Sequence, residues 1–171
     1  MNENKKLISG FTLMELMVVV AIIGIMAGIA IPSFIGWIPD YRLRSATRDI
    51  VSCLQEMKLR AAAENSNAVV IFDLTAESYQ SFVDDGGDDG TGTANDYMHN
   101  GSEVLLKNVI LPTGVELISS TFNSSSAPYS FGFNSRGLPS TGATGGTISL
   151  QNSNSKTMQV VVNSVGNIRV P

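Results

Sequence analysis

The side chains whose types and spacing could do chemistry are concentrated in one acidic segment, Asp84-Asp85-Gly86-Gly87-Asp88-Asp89-Gly90-Thr91-Gly92-Thr93-Ala94-Asn95-Asp96. Hard carboxylate oxygens on glycine-permitted turns are what calcium coordination needs. With Asp85 at the first position of a calcium loop, Asp89 falls at the fifth, Gly90 at the turn and Asp96 at the twelfth. Gly87 occupies the third position, where a ligand is expected, and Asp96 is shorter than the usual glutamate, so a solvated hairpin loop competes with a Ca2+ site. His99 follows without a nucleophile in register and reads as a surface histidine. One histidine and one cysteine, Cys53, leave no His pair, no Cys-rich metal site and no intrachain disulfide. No Gly-x-Ser-x-Gly elbow and no phosphate-binding glycine loop is present, so no enzyme chemistry is expected. A different kind of chemistry attaches to Glu15, which sits at the head of a long apolar run.

That run extends from Leu16 to Pro39, 24 residues without a charge. At ~1.5 Å per residue it is long enough to cross a hydrocarbon core of about 30 Å. Lys5 and Lys6 precede it, which predicts a cytoplasmic N-terminus and export of everything beyond residue 40. Three readings compete. One is a secretory signal peptide cleaved after Gly28-Ile29-Ala30, and another a plain membrane anchor. Both leave Glu15 unexplained, because a carboxylate inside the bilayer costs roughly 2.5 kcal/mol or more. The third is a cut between Gly10 and Phe11, which makes a charged amine one helical turn from Glu15. That amine, of the same or a neighbouring subunit, could neutralise the carboxylate. Gly24, Gly28 and Pro32 weaken the helix ladder, and local unwinding between about Gly24 and Pro32 is expected in an assembled state.

The stretch Lys5-Lys6-Leu7-Ile8-Ser9-Gly10-Phe11-Thr12-Leu13-Met14-Glu15-Leu16 resembles the type III signal of type IV prepilins, and the resemblance runs on to Ile31 and Pro32. It implies a leader, residues 1–10, removed by prepilin peptidase with N-methylation of Phe11. A filament-core helix over 11–39 and an exported domain over 40–171 would follow. The mature subunit would be single-pass in the bacterial inner membrane, with its C-terminal domain in the periplasm, before joining a filament of other pilin subunits.

Beyond the membrane, Leu43, Ala46, Ile50, Leu54, Met57 and Ala61 recur at three- and four-residue spacing, predicting an amphipathic helix over 40–65. Asp40 after Pro39 is a candidate N-cap, although the helix could instead run on from the membrane segment. Arg42, Arg44, Arg48, Glu56, Lys58 and Arg60 lie between the apolar positions and read as a solvated face. Strands are predicted at 68–74, 78–83, 103–111, 115–119, 129–134, 147–150, 158–163 and 167–170, with no internal repeats. The expected fold class is α+β, a long helix with a membrane half and an amphipathic half packed on a two-sheet antiparallel β domain.

The junction Met57-Lys58-Leu59-Arg60-Ala61-Ala62-Ala63-Glu64-Asn65-Ser66 before Ala68-Val69-Val70-Ile71, and the closing segments Phe131–Gly137, Thr147–Leu150 and Val160–Arg169, resemble GspH/FimT-type pseudopilins. The resemblance implies a structural subunit, a minor pseudopilin of type II secretion or a minor pilin; a major pilin is the alternative. Some pseudopilins bind calcium, which the resemblance brings to bear on the acidic segment. Some relatives bind DNA through a C-terminal Gly-Arg-x-Arg; the matching positions here are Gly166, Asn167, Ile168 and Arg169. With Arg136 and Lys156 that region offers few cations, and a net charge of -4 argues against a nucleic-acid coat.

Overall fold

A computed structural model describes residues 10–86, 93–94, 96–100, 103–122, 129–140 and 145–171; at 32 and 33 the description covers the backbone only. One helix, α1, spans Leu13–Glu64. Among the described residues eight strands follow: β1 Asn67–Asp73, β2 Ser78–Asp84, β3 Leu105–Ile110, β4 Val115–Ser120, β5 Tyr129–Phe133, β6 Gly146–Asn152, β7 Thr157–Val162 and β8 Ile168–Arg169. They form two antiparallel four-stranded sheets, ordered β3-β2-β1-β5 and β4-β6-β7-β8. The chain divides into two compact units, Met1–Ile38 and Pro39–Pro171.

Asp40 does not cap a helix. It lies inside α1, which begins at Leu13, and its carboxylate instead accepts from the Asn152 carboxamide (2.8 Å) and the Lys156 ammonium (2.7 Å). Proline tolerates helical φ, so Pro39 costs one ladder bond without ending the element. The helix likewise continues through Gly24, Gly28 and Pro32. The unwinding expected there belongs to the assembled state.

In the second unit the helix buries a stripe of Leu43, Ala46, Thr47, Ile50, Cys53, Leu54, Met57 and Ala61. This stripe joins one core with Ala68, Val70 and Phe72 of β1, Phe131 and Phe133 of β5, Ile148 and Leu150 of β6, and Val160 and Val162 of β7. Phe122 stacks between Phe72 (5.7 Å) and Phe131 (4.6 Å). A side chain at Gly146 would place its Cβ 2.2 Å from the Phe122 ring, so β6 must begin with glycine to pass under it. Asn65 takes the left-handed conformation (φ 51°) just past the helix, the position where glycine or asparagine ends helices.

Three turns use one device. Asn134, Asn152 and Asn163 each begin a five-residue turn in which the carboxamide oxygen accepts from the N–H groups two and four residues on. In each the backbone closes the turn twice more, and the fourth residue has positive φ: Gly137 (70°), Ser155 (62°) and Gly166 (74°). Glycine suits that position because it has no Cβ to clash. The Lys58 ammonium donates to Gly166 O (2.9 Å) and thereby ties α1 to one of these turns.

Candidate assembly site

Thr12 is the N-cap of α1. Its hydroxyl accepts from the Glu15 N–H (3.2 Å) and its carbonyl accepts from the Leu16 N–H (3.2 Å). Thr-x-x-Glu is the capping-box pattern, with Glu15 in the first turn, where the positive end of the helix dipole favours a carboxylate. Glu15 is therefore held at a defined point of the helix start and is exposed there. Gly10 and Phe11, the predicted cleavage pair, precede the cap; both are exposed, Phe11 at 80%. The capping role of Thr12 went unread in the sequence, although Thr12 and Glu15 at a spacing of three were its signal.

Leu13–Ile31 is long and apolar enough to cross a membrane, with mean hydropathy 2.5, and none of it is buried within the molecule. Added Cβ atoms at Gly24, Gly28 and Gly36 would meet nothing within 4 Å. Among the described residues, no packing against a Cβ position requires these glycines.

The acidic segment divides differently from the sequence expectation. Asp89 lies outside the described residues, and so does part of the segment around it. Asp96 turns inward on its own loop, accepting from Met98 N–H (2.8 Å) and the Asn100 carboxamide (2.6 Å). Among the described residues, no group of three or more His, Cys, Asp or Glu is placed to hold a metal ion. The buried carboxylates at the root of the loop are Asp84 and Glu103. Asp84 accepts from Tyr97 N–H (2.8 Å), and Glu103 accepts from Gly86 N–H (3.2 Å) and Asn100 N–H (2.9 Å).

Those bonds hold residues 96–100 and Glu103 over the outer face of the first sheet. Phe82, Val69 and Gly132 form one row across β2, β1 and β5. The Tyr97 ring lies over Gly132, 3.3 Å from where a Cβ would be, and the His99 ring meets Phe82 edge-on at 5.2 Å. His99 is exposed, and its Nε2 lies 3.0 Å from Glu103 O. Its packing role had no signal in spacing. Cys53 is buried in the helix stripe, where desolvation pushes its thiol above the ordinary value. Arg136 and Arg169 are exposed, the first in the turn after β5 and the second in β8. Neither forms an ion pair among the described residues.

Comparison with known proteins places this geometry. The prokaryotic N-terminal methylation motif matches residues 5–31, and the Type II transport protein GspH family matches residues 46–166. A type IV major fimbrial protein FimA of Dichelobacter nodosus is 50% identical over 58 residues, 34% of this chain and 34% of that one. The match thus spans about a third of the length of these fimbrial relatives. The minor pseudopilin EpsH of Vibrio cholerae shares the fold with TM-score 0.55 at 15% identity, over 76% of this chain and 96% of that one. The type IV minor pilin FimU of Pseudomonas aeruginosa matches at TM-score 0.55 and 12% identity, over 77% and 90%. With a methylation motif heading an exposed apolar helix and a two-sheet domain behind it, the chain belongs to the GspH family of pilin-like subunits.

Proposed function

We propose that this chain is a minor subunit of a pilus-like filament, either a type IV pilus or a type II secretion pseudopilus. Its apolar helix stores it in the inner membrane, with residues 40–171 in the periplasm. Prepilin peptidase cuts between Gly10 and Phe11, methylates Phe11 and leaves Glu15 as the fifth residue of the mature chain. The helices then bundle with those of other pilin subunits. The observation that carries this reading is the apolar span, none of which is buried among the described residues, headed by an exposed carboxylate. In lipid or a helix bundle such a carboxylate requires a counter-charge, and a neighbouring subunit's new amine supplies it. Gly24, Gly28 and Pro32 lower the cost of local unwinding during that packing; regular helical density there in a filament reconstruction would reject this last element.

The test is Glu15→Ala. It is expected to leave membrane insertion intact and to reduce incorporation into isolated filaments at least tenfold, the loss of about 1.4 kcal/mol or more of pairing. Normal incorporation would sink the pairing role. Mass spectrometry of the same filaments reads the mature N-terminus and the stoichiometry, which separates a minor from a major subunit.

A further inference from the structure

The face of α1 just past the uncharged run carries Tyr41, Arg44 and Arg48, at spacings of three and four residues. These positions share one side of the helix, opposite the buried Leu43, Ala46, Thr47 and Ile50. Tyr41 is 65% exposed, and both arginines are exposed. Two neighbouring side chains have partners of their own, although the Arg44 charge also helps to lower the Asp40 carboxyl. Asp40 is engaged by Lys156 at 2.7 Å and Asn152 at 2.8 Å, and Arg42 donates to Thr113 O at 2.8 Å. Among the described residues Arg44 and Arg48 have no ion pair.

Position then identifies the occupant. Arg44 stands five residues after Pro39, the last residue of the uncharged run, which is about 7.5 Å of helical rise. The headgroup layer of one leaflet is about 5–8 Å thick, and an arginine can reach back along its stem by several ångströms. A tyrosine at the edge of an apolar span favours the same layer. We infer that Tyr41, Arg44 and Arg48 form a headgroup-binding face that selects anionic phospholipid on the exported side of the bilayer. This inference rests on the membrane-stored reading above. The guanidinium forks suit phosphate oxygens, and the contact competes with filament packing for the same helix face.

The single tryptophan, Trp37, provides the readout. The full chain is reconstituted in phosphatidylcholine vesicles holding a minority of phosphatidylglycerol. Quenching of Trp37 by brominated phosphatidylglycerol is then compared with quenching by brominated phosphatidylcholine. The expected preference for the anionic lipid is about fivefold. It should fall to parity in Arg44→Gln/Arg48→Gln and at about 0.5 M salt, and persist in Arg136→Gln/Arg169→Gln. Parity in the wild type, or a preference that survives Arg44→Gln/Arg48→Gln, overturns the inference. A preference that grows with protein density assigns the face to carboxylates of a neighbouring subunit and overturns it equally. Release of the chain from vesicles by alkaline carbonate overturns the membrane-stored reading itself, and this inference with it.

Discussion

Single residues in this domain are constrained by what lies within a few ångströms of their Cβ. Gly146 opens β6 directly beneath Phe122, and an added methyl would overlap the ring that bridges Phe72 and Phe131. Gly146→Ala must move that ring or the strand, so we expect a loss of about 2–3 kcal/mol. In a chain of this size that is roughly a 4–12 °C drop in melting temperature, readable by circular dichroism in detergent. An unchanged melt would show that the ring has room to move. Gly132 is a gentler case, since a Cβ there meets the Tyr97 ring at 3.3 Å and the rotatable Ser140 hydroxyl at 3.0 Å. Gly132 lies in a segment that the sequence marks as a strand, whereas Gly146 falls one residue before one, in a stretch that reads as a break. Their necessity was illegible in the sequence, because it depends mainly on Phe122 and Tyr97, side chains more than twenty residues away.

Elements were far more legible than their closures. The eight strands among the described residues lie where alternation and turn residues predict them, within two residues at each end. The helix was legible as two apolar patterns. Its continuity was one of two readings, because Pro39 followed by Asp40 also reads as a stop and a start, whereas the chain uses Asp40 for a tertiary bond. The irregularities between Ser81 and Phe82 and between Leu117 and Ser119 left no sequence mark. The three asparagine turns had one: Asn-Ser opens all of them, but only the structure shows a shared geometry. That geometry yields a prediction. Ser155 occupies the left-handed position that Gly137 and Gly166 fill in the sister turns. Relief of the Cβ clash should make Ser155→Gly stabilising by about 0.5–1 kcal/mol, seen as a raised melting temperature. A lower one would mean that the unfolded-state entropy of glycine dominates.

At the scale of the whole molecule, polar contacts fasten the helix to the strands of the second unit. Asp40 holds the β6–β7 turn, Arg42 the β3–β4 loop, Glu56 the Lys107 ammonium of β3 at 2.6 Å, and Lys58 the β7–β8 turn. The Lys156 hydrogen bond, then that of Asn152, holds the Asp40 carboxyl below its ordinary value of 3.8. The Lys107 hydrogen bond, aided by Arg60, likewise holds Glu56 below 4.5. A carboxylate depressed in the folded state stabilises the fold above its ordinary value. That contribution is lost as the pH falls through the lower, folded value. Stability should therefore decline below pH 3.8 through Asp40 and below 4.5 through Glu56. The slopes will be shallow because the pairs are exposed to solvent. Melts of Lys156→Met from about pH 6 to about 2.5 should lose the larger share of the Asp40 part of the acid slope, with the Asn152 share and the rest kept. Superimposable slopes would remove Asp40 from the account. The loop over the first sheet shows the limit of reading at this scale. Its acidic half drew attention as a metal candidate, whereas Tyr97 and His99, which cover Gly132 and Phe82, resemble ordinary loop residues until the sheet is in place.

The unburied span has a thermodynamic consequence. Its apolar side chains have only two favourable surroundings, acyl chains and the helices of neighbouring subunits, and these are about equally oily. Moving from one to the other gains almost nothing from the hydrophobic effect, however large the surface. On the proposed reading, the direction of transfer is decided by small differences: a neutralised Glu15, close helix packing and the fit of one folded head against the next. Such a polymer sits near balance with its lipid reservoir, and modest work at its base suffices to draw subunits out or return them.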